Sequence, residues 1–142
     1  AKKSGAKVTA ADVSLKAIEL AQENAALNGA DIEFIKGDLF ENLQGRRFDI
    51  IITNPPYIKR ADIEGLQREI REFEPVLALD GGEDGLDFYR RIAEEVPAHI
   101  NAGGVLFAEC GEGQAADIAA LFEKAEIISD ISGKDRIVKA VF

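Results

Sequence analysis

The apolar residues of this chain recur with two different periods, and the way the periods alternate predicts strand and helix in turn. Residues 7–11 read as a short strand that ends at Asp12. Ser14 is placed to cap a helix whose apolar positions Leu15, Ile18, Ala21 and Ala25 keep helical spacing. Asn28-Gly29 is the left-handed pair that stops such a helix. Residues 32–36 form the next strand, so the chain opens with a βαβ unit, expected to be parallel and right-handed. Residues 48–53 are a continuous apolar strand, the kind buried on both faces of a parallel sheet.

Residues 54–82 show no strong period, although 63–72 suit a helix. Loops of this length in compact domains are usually functional or disordered. Residues 85–100 are helical, with Leu86, Tyr89, Ile92, Ala93 and Val96 on one face; Pro97 in the last turn predicts a kink or an early end. Gly103-Gly104 turns into a strand over 105–109. Residues 114–124 read as helix, and strands over 126–131 and 136–142, joined at Ser132-Gly133, close the chain. The result is an α/β domain with a doubly wound, mostly parallel sheet carrying one antiparallel strand near an edge. Ligands in such sheets bind beyond the carboxyl ends of the strands. That rule selects Asp12, residues 36–39, Asn54 and residues 109–111 before any motif is considered.

Composition narrows the picture. A chain of 142 residues suffices for one domain, and 46% hydrophobic with 30% charged residues is ordinary for a globular protein. The longest apolar runs are strand-sized, which argues against a membrane span. The opening residues lack a signal-peptide pattern, and the single cysteine, Cys110, cannot form an internal disulfide; a reducing, cytoplasmic setting is the expectation. Acidic residues outnumber Lys and Arg by 26 to 17, for a net charge of −9. A protein that grips a phosphate backbone normally carries a basic face, so nucleic acid is disfavoured as the main substrate. Ala1-Lys2-Lys3-Ser4-Gly5 reads as the frayed end of a helix, which leads us to expect that the protein continues upstream.

Three places carry candidate chemistry. Asp12, just past its strand, can accept hydrogen bonds from the vicinal hydroxyls of a ribose; it can equally cap the following helix. In Gly37-Asp38-Leu39, Asp38 can accept from an exocyclic amine and Leu39 can pack on a purine face, although a polar turn explains the same letters. Asn54-Pro55-Pro56-Tyr57 differs in kind. Its prolines deny the loop two backbone donors and restrict its dihedrals, leaving a rigid bracket whose free groups are acceptors: the Asn54 side-chain oxygen and the Pro55 carbonyl. Tyr57 adds a flat aromatic face, although a rigid Pro-Pro turn with a packed tyrosine explains the same letters. Two acceptors and a ring suit a planar NH2 group, whose lone pair they can turn toward an electrophile such as a methyl on a sulfonium. Cys110 reads as a small buried residue, His99 as a bystander, and Gly111-Glu112-Gly113 as a turn. No cluster has metal-ligand spacing.

The run Phe48-Asp49-Ile50-Ile51-Ile52-Thr53-Asn54-Pro55-Pro56-Tyr57-Ile58 resembles the fourth motif of the amino-methylating class I methyltransferases, whose sheet is Rossmann-like. Arg71-Glu72-Phe73-Glu74-Pro75, the stretch over 78–89 and Asp135-Arg136-Ile137-Val138 are similar to the bacterial protein-(glutamine-N5) methyltransferases that modify peptide chain release factors, the HemK/PrmC type. The likeness runs over essentially the whole chain. It implies S-adenosyl-L-methionine as cofactor and, as methyl acceptor, the glutamine of a release factor's Gly-Gly-Gln loop. It further implies that Asp12 holds the ribose, that Asp38 and Leu39 lie at the adenine, and that Asn54 lies at both cofactor and substrate. Asn54, Pro55, Pro56 and Tyr57 then cradle the glutamine amide.

That family's glycine-rich first motif and its helical N-terminal domain are not found in these residues. The strand bearing the motif is the central one of the sheet, flanked by the first and third strands seen here. The chain is therefore expected to be the C-terminal portion of a catalytic domain and, alone, to bind the cofactor weakly. The alternatives are an adenine-N6 methyltransferase of DNA or RNA, a ribosomal-protein glutamine methyltransferase, and an inactive truncated core.

Overall fold

The structure is a computed structural model that describes residues 5–142. The expectation of a helix end at residues 1–5 falls largely outside the described residues. Two compact units make up the chain, one up to Arg46 and one from Arg47 onward.

The first unit is β1 (Val8–Asp12), α1 (Leu15–Asn28) and β2 (Ile32–Lys36), with β1 and β2 paired in parallel so that Asp12 lies opposite Lys36. Ser14 caps α1 as its position predicts, its hydroxyl accepting from Ala17 N–H at 3.3 Å. Gly29 ends the helix in the left-handed region at φ 58°. Ile18 and Ala25 are its buried residues, one helical stripe apart.

The second unit holds a four-stranded sheet of β3 (Phe48–Thr53), β4 (Ile100–Glu109), β5 (Ala125–Ser129) and β6 (Asp135–Val141) in the order β3-β4-β6-β5. β3 and β4 are parallel, while β6 runs antiparallel to both neighbours. The expected antiparallel strand near an edge is thus β6. Three helices accompany the sheet: α2 (Arg68–Phe73), α3 (Asp87–His99) and α4 (Ala115–Ala119). Tyr89, Ile92 and Val96 form the buried stripe of α3, each such side chain contributing roughly 1.5–3 kcal/mol on burial. Among the described residues no helix is long and apolar enough to cross a membrane.

Three expectations need correction. β3 is not covered on both faces: Ile50 is 60% and Ile52 80% exposed, and as residues two apart they share one face, over which nothing among the described residues packs closely. β1 pairs only with β2, so the strands fall into two sheets, and β1 and β3 each keep one unpaired edge, as the family resemblance implies for a sheet without its central strand. Pro97 does not end α3, which runs to His99; Arg47 donates to the Pro97 carbonyl at 3.3 Å and the Ile100 carbonyl at 2.5 Å, satisfying acceptors that a helix end leaves open. Finally, α4 stops at Ala119 rather than 124. There Leu121 N–H bonds to Ile118 and Phe122 N–H to Ala119, tightening the chain into turns.

Candidate active site

In the first unit the site residues gather at the carboxyl end of the two-stranded sheet. Gly37 N–H donates to the Asp12 carbonyl at 3.0 Å, extending the ladder by one bond and setting the turn over 37–39 beside Asp12. One Asp12 carboxylate oxygen accepts Ser14 N–H at 2.7 Å, so the side chain does brace the start of α1. Its other oxygen has no partner among the described residues. Both readings of Asp12 are therefore compatible with the same rotamer. Asp38 N–H donates to the Glu41 carboxylate at 3.2 Å, and Glu41 N–H returns a bond to the Asp38 carbonyl at 3.0 Å. Leu39, between them, has φ 49°, the one non-glycine residue in the left-handed region among those described. A leucine there is strained, and strain of this kind gathers where backbone position serves a ligand. Side-chain pattern had no means of signalling it.

In the second unit the chain leaves β3 directly into Asn54-Pro55-Pro56-Tyr57. Asn54 is exposed, Pro55 buried, and Pro56 and Tyr57 half-buried. Among the described residues neither the Asn54 side chain nor the Pro55 carbonyl has a hydrogen-bond partner, so the two acceptors named from sequence are free to take hydrogens from a ligand. Asn54 borders a recess of about 170 Å³ with Ile52, Thr53, Phe107, Glu109 and Ile137. Tyr57 borders a different cavity, of about 340 Å³, with Asp84, Leu86, Gly111 and Gln114 among its walls. The two ends of the tetrapeptide thus line two different hollows, so the structure does not bring the Tyr57 ring to the recess that Asn54 borders.

The surroundings of Tyr57 explain its posture. Its ring packs on a buried cluster of Tyr89, Ala108, Cys110, Ala115, Ile118 and Val138. Tyr89 fixes that cluster to the end of β4, its hydroxyl donating to the Glu109 carbonyl at 2.6 Å. Burial pushes the Tyr89 hydroxyl well above its ordinary pKa, so it stays protonated and remains a donor. Just past Tyr57 the backbone is pinned on its other side: Ile58 N–H bonds to the Leu79 carbonyl at 3.0 Å and Gly81 N–H to the Ile58 carbonyl at 2.8 Å. Gly81 must be glycine, because a Cβ there would lie 2.8 Å from the Tyr57 Cα and 2.9 Å from the Pro56 carbonyl.

Charges stiffen the same loop. Asp80 accepts Arg60 Nε–H at 2.9 Å and Gly82 N–H at 2.9 Å, and the guanidinium of Arg60 holds its carboxyl below the ordinary value. Asp84 accepts Leu86 N–H at 3.1 Å and pairs with Arg90, which holds it at about 2. Sequence reasoning flagged the stretch over 78–89 only through resemblance. Asp-Gly-Gly and Asp-Gly pairs were the available sign that it folds into tight, side-chain-capped turns. Cys110 is fully buried, as its residue type suggests, and burial raises its thiol pKa.

Comparison with known proteins places the chain among methyltransferases. Residues 1–83 match the family model described as the methyltransferase small domain. The release factor glutamine methyltransferase of Geobacter sulfurreducens is 47% identical over 138 residues, covering 94% of this chain and 49% of the relative. The chain spans about half the length of the curated relatives it matches. Among solved structures, a Thermus thermophilus 16S rRNA N2 G1207 methyltransferase in complex with AdoMet and guanosine superposes with a TM-score of 0.65. It is 18% identical and covers 96% of this chain and 32% of its own. The release-factor-specific protein-(glutamine-N5) methyltransferase of Alicyclobacillus acidocaldarius gives a TM-score of 0.55 at 22% identity, covering 97% of this chain and 80% of its own. The fold is that of a class I, Rossmann-like methyltransferase, and the chain belongs to the methyltransferase small domain family.

Proposed function

We propose that the protein methylates the side-chain amide of the glutamine in the Gly-Gly-Gln loop of a peptide chain release factor, with S-adenosyl-L-methionine as donor. The observation that carries this reading is the pair of unengaged acceptors, the Asn54 side chain and the Pro55 carbonyl, held on a proline-stiffened segment beyond β3. A primary amide presents two N–H hydrogens in one plane, which is the pattern two fixed acceptors recognise.

The residues of the first unit fit the adenosine part of the donor. Asp12 has a carboxylate oxygen left for the ribose hydroxyls, and the Gly37 N–H bond to the Asp12 carbonyl keeps Asp38 and Leu39 beside it, which supports reading them as the adenine contacts. When bound, S-adenosylmethionine supplies an electrophilic methyl on a sulfonium. The task of this chain is orientation. Asn54 and Pro55 would hold the two amide hydrogens and so fix the plane of the amide, which aims the face of its nitrogen at the methyl. Transfer would break the sulfonium carbon–sulfur bond, release the thioether and leave one amide proton to pass to solvent water, while the placement itself acts through effective concentration. Tyr57, braced by the buried cluster, fixes the far end of the segment. Similarity to the Geobacter relative supports the choice of acceptor, the net charge of −9 weighs against bare nucleic acid, and the lone thiol suits a reducing cytoplasm.

Methyl transfer from labelled S-adenosylmethionine tests the reading in the full-length protein. Purified release factor should be methylated at its Gly-Gly-Gln glutamine, and a release factor with that glutamine changed to alanine should not. Label appearing in nucleic acid or in a ribosomal protein instead would refute it.

A further inference from the structure

Gln114 stands just before α4, and three loops meet on its amide. Its Nε2 donates to the Tyr57 carbonyl at 3.0 Å and to the Gly85 carbonyl at 3.4 Å, while its Oε1 accepts Gly111 N–H at 3.1 Å. One planar group thus ties the proline segment, the turn before α3 and the end of β4 together. Only an amide side chain offers donors and an acceptor in one plane, so neither a carboxylate nor an ammonium can make the same set.

Space around it is allotted accordingly. A Cβ at Gly85 would lie 2.5 Å from Gln114 Nε2 and 2.5 Å from the Tyr57 carbonyl oxygen; one at Gly111 would lie 2.6 Å from Gln114 Oε1 and 2.9 Å from the Tyr57 ring. Glycines flank the amide on both sides. Within the tetrapeptide the prolines have no N–H, so backbone ties to the rest of the unit begin only at Tyr57 and Ile58. Ile58 is held by the Leu79 carbonyl, and the Tyr57 carbonyl by Gln114.

We propose that Gln114 is a positioning residue for methyl transfer: by holding the Tyr57 carbonyl it sets the posture of the segment that presents Asn54 and Pro55. This rests on the reading of that segment as the amide-binding bracket. Gln114 acts through Tyr57 and does not touch the reacting atoms.

Gln114→Glu keeps the shape and the bond from Gly111 but sets a carboxylate oxygen against the Tyr57 carbonyl. Gln114→Met keeps the length and loses every bond. In the full-length protein both should lower kcat by about tenfold to a hundredfold, the scale of a small misplacement, while leaving the KM for S-adenosylmethionine near that of the unchanged protein. Should the Glu variant fail to fold, the Met variant carries the test. A second readout is independent of activity. In protein labelled with fluorotyrosine, the 19F resonance of Tyr57, assigned by its loss in Tyr57→Phe, should shift in both variants while that of Tyr89 stays. Turnover at the unchanged level in a folded variant overturns the proposal. If the unchanged protein transfers no methyl to release factor, the functional reading fails on its own; an unmoved Tyr57 resonance would then sink the positioning role, and a shifted one would uphold it.

Discussion

The Tyr89 hydroxyl donates to the Glu109 carbonyl at 2.6 Å, so a helix side chain and the last residue of β4 are joined beneath the proline segment. Tyr89 is 1% exposed, so its hydroxyl has no access to water in place of this bond. Tyr89→Phe should therefore cost about 1–3 kcal/mol of stability, the penalty of leaving one buried polar group unpaired. Urea denaturation measures it. A change of only a few tenths would mean that packing, and not this bond, holds α3 to the strand end.

Asp12→Ala should weaken S-adenosylmethionine binding while transferring methyl at a near-normal maximal rate once the cofactor saturates. Loss of a charge-assisted hydrogen bond to the ribose corresponds to about 1.5–3 kcal/mol, or roughly tenfold to a hundredfold in Kd. Asp12→Asn is the useful companion, because it retains an oxygen for Ser14 N–H. Calorimetric titration of both variants in the full-length protein separates a ribose contact from a helix brace: equal loss in the two points to the ribose, loss in Ala alone to the brace.

Asn54→Ala should lower turnover by about a hundredfold or more with the fold intact, since the loss falls on orientation of the acceptor. Asn54 is exposed and bonded to no described residue, so its removal leaves no buried group unpaired. Steady-state kinetics together with a thermal scan check both halves. Unchanged turnover would remove Asn54 from the site.

Asp84 predicts a pH dependence. Arg90 and the Leu86 N–H hold its carboxyl at about 2, below the usual carboxylate range. A depressed pKa contributes stability that is fully present above the unfolded value of about 4 and is lost as pH falls through about 2. Asp84→Asn should lower the thermal midpoint at neutral pH, and its gap from the unchanged protein should close between about pH 4 and pH 2. A gap of constant size across that window would show that the ion pair adds nothing. The site is solvent-exposed, so the effect should also shrink in high salt.

What the sequence disclosed was whatever local chemistry decides. β2 and β3 have the bounds their apolar runs predict, and Ser14 and Gly29 delimit α1 because a cap and a left-handed turn are properties of a few neighbouring residues. The free acceptors of Asn54 and Pro55 were legible for the same reason, since proline removes a donor wherever it occurs. The exposure of Ile50 and Ile52 was not, because an apolar run does not say which strands flank it. The clamp by Gln114 was hidden more deeply. It joins residues 57 positions apart, and a glutamine ahead of a short helix carries no mark of its partner. Leu39 belongs with it: a leucine at φ 49° is a demand of the fold that contradicts its own preference.

Cys110 is the sole thiol of the 142 residues and is wholly enclosed, packed in the cluster on which Tyr57 leans. A thiol reagent reaches it only when that cluster parts. Its modification rate under native conditions is accordingly a clock for the breathing of the platform beneath Tyr57, read at one sulfur atom without any label having to be introduced.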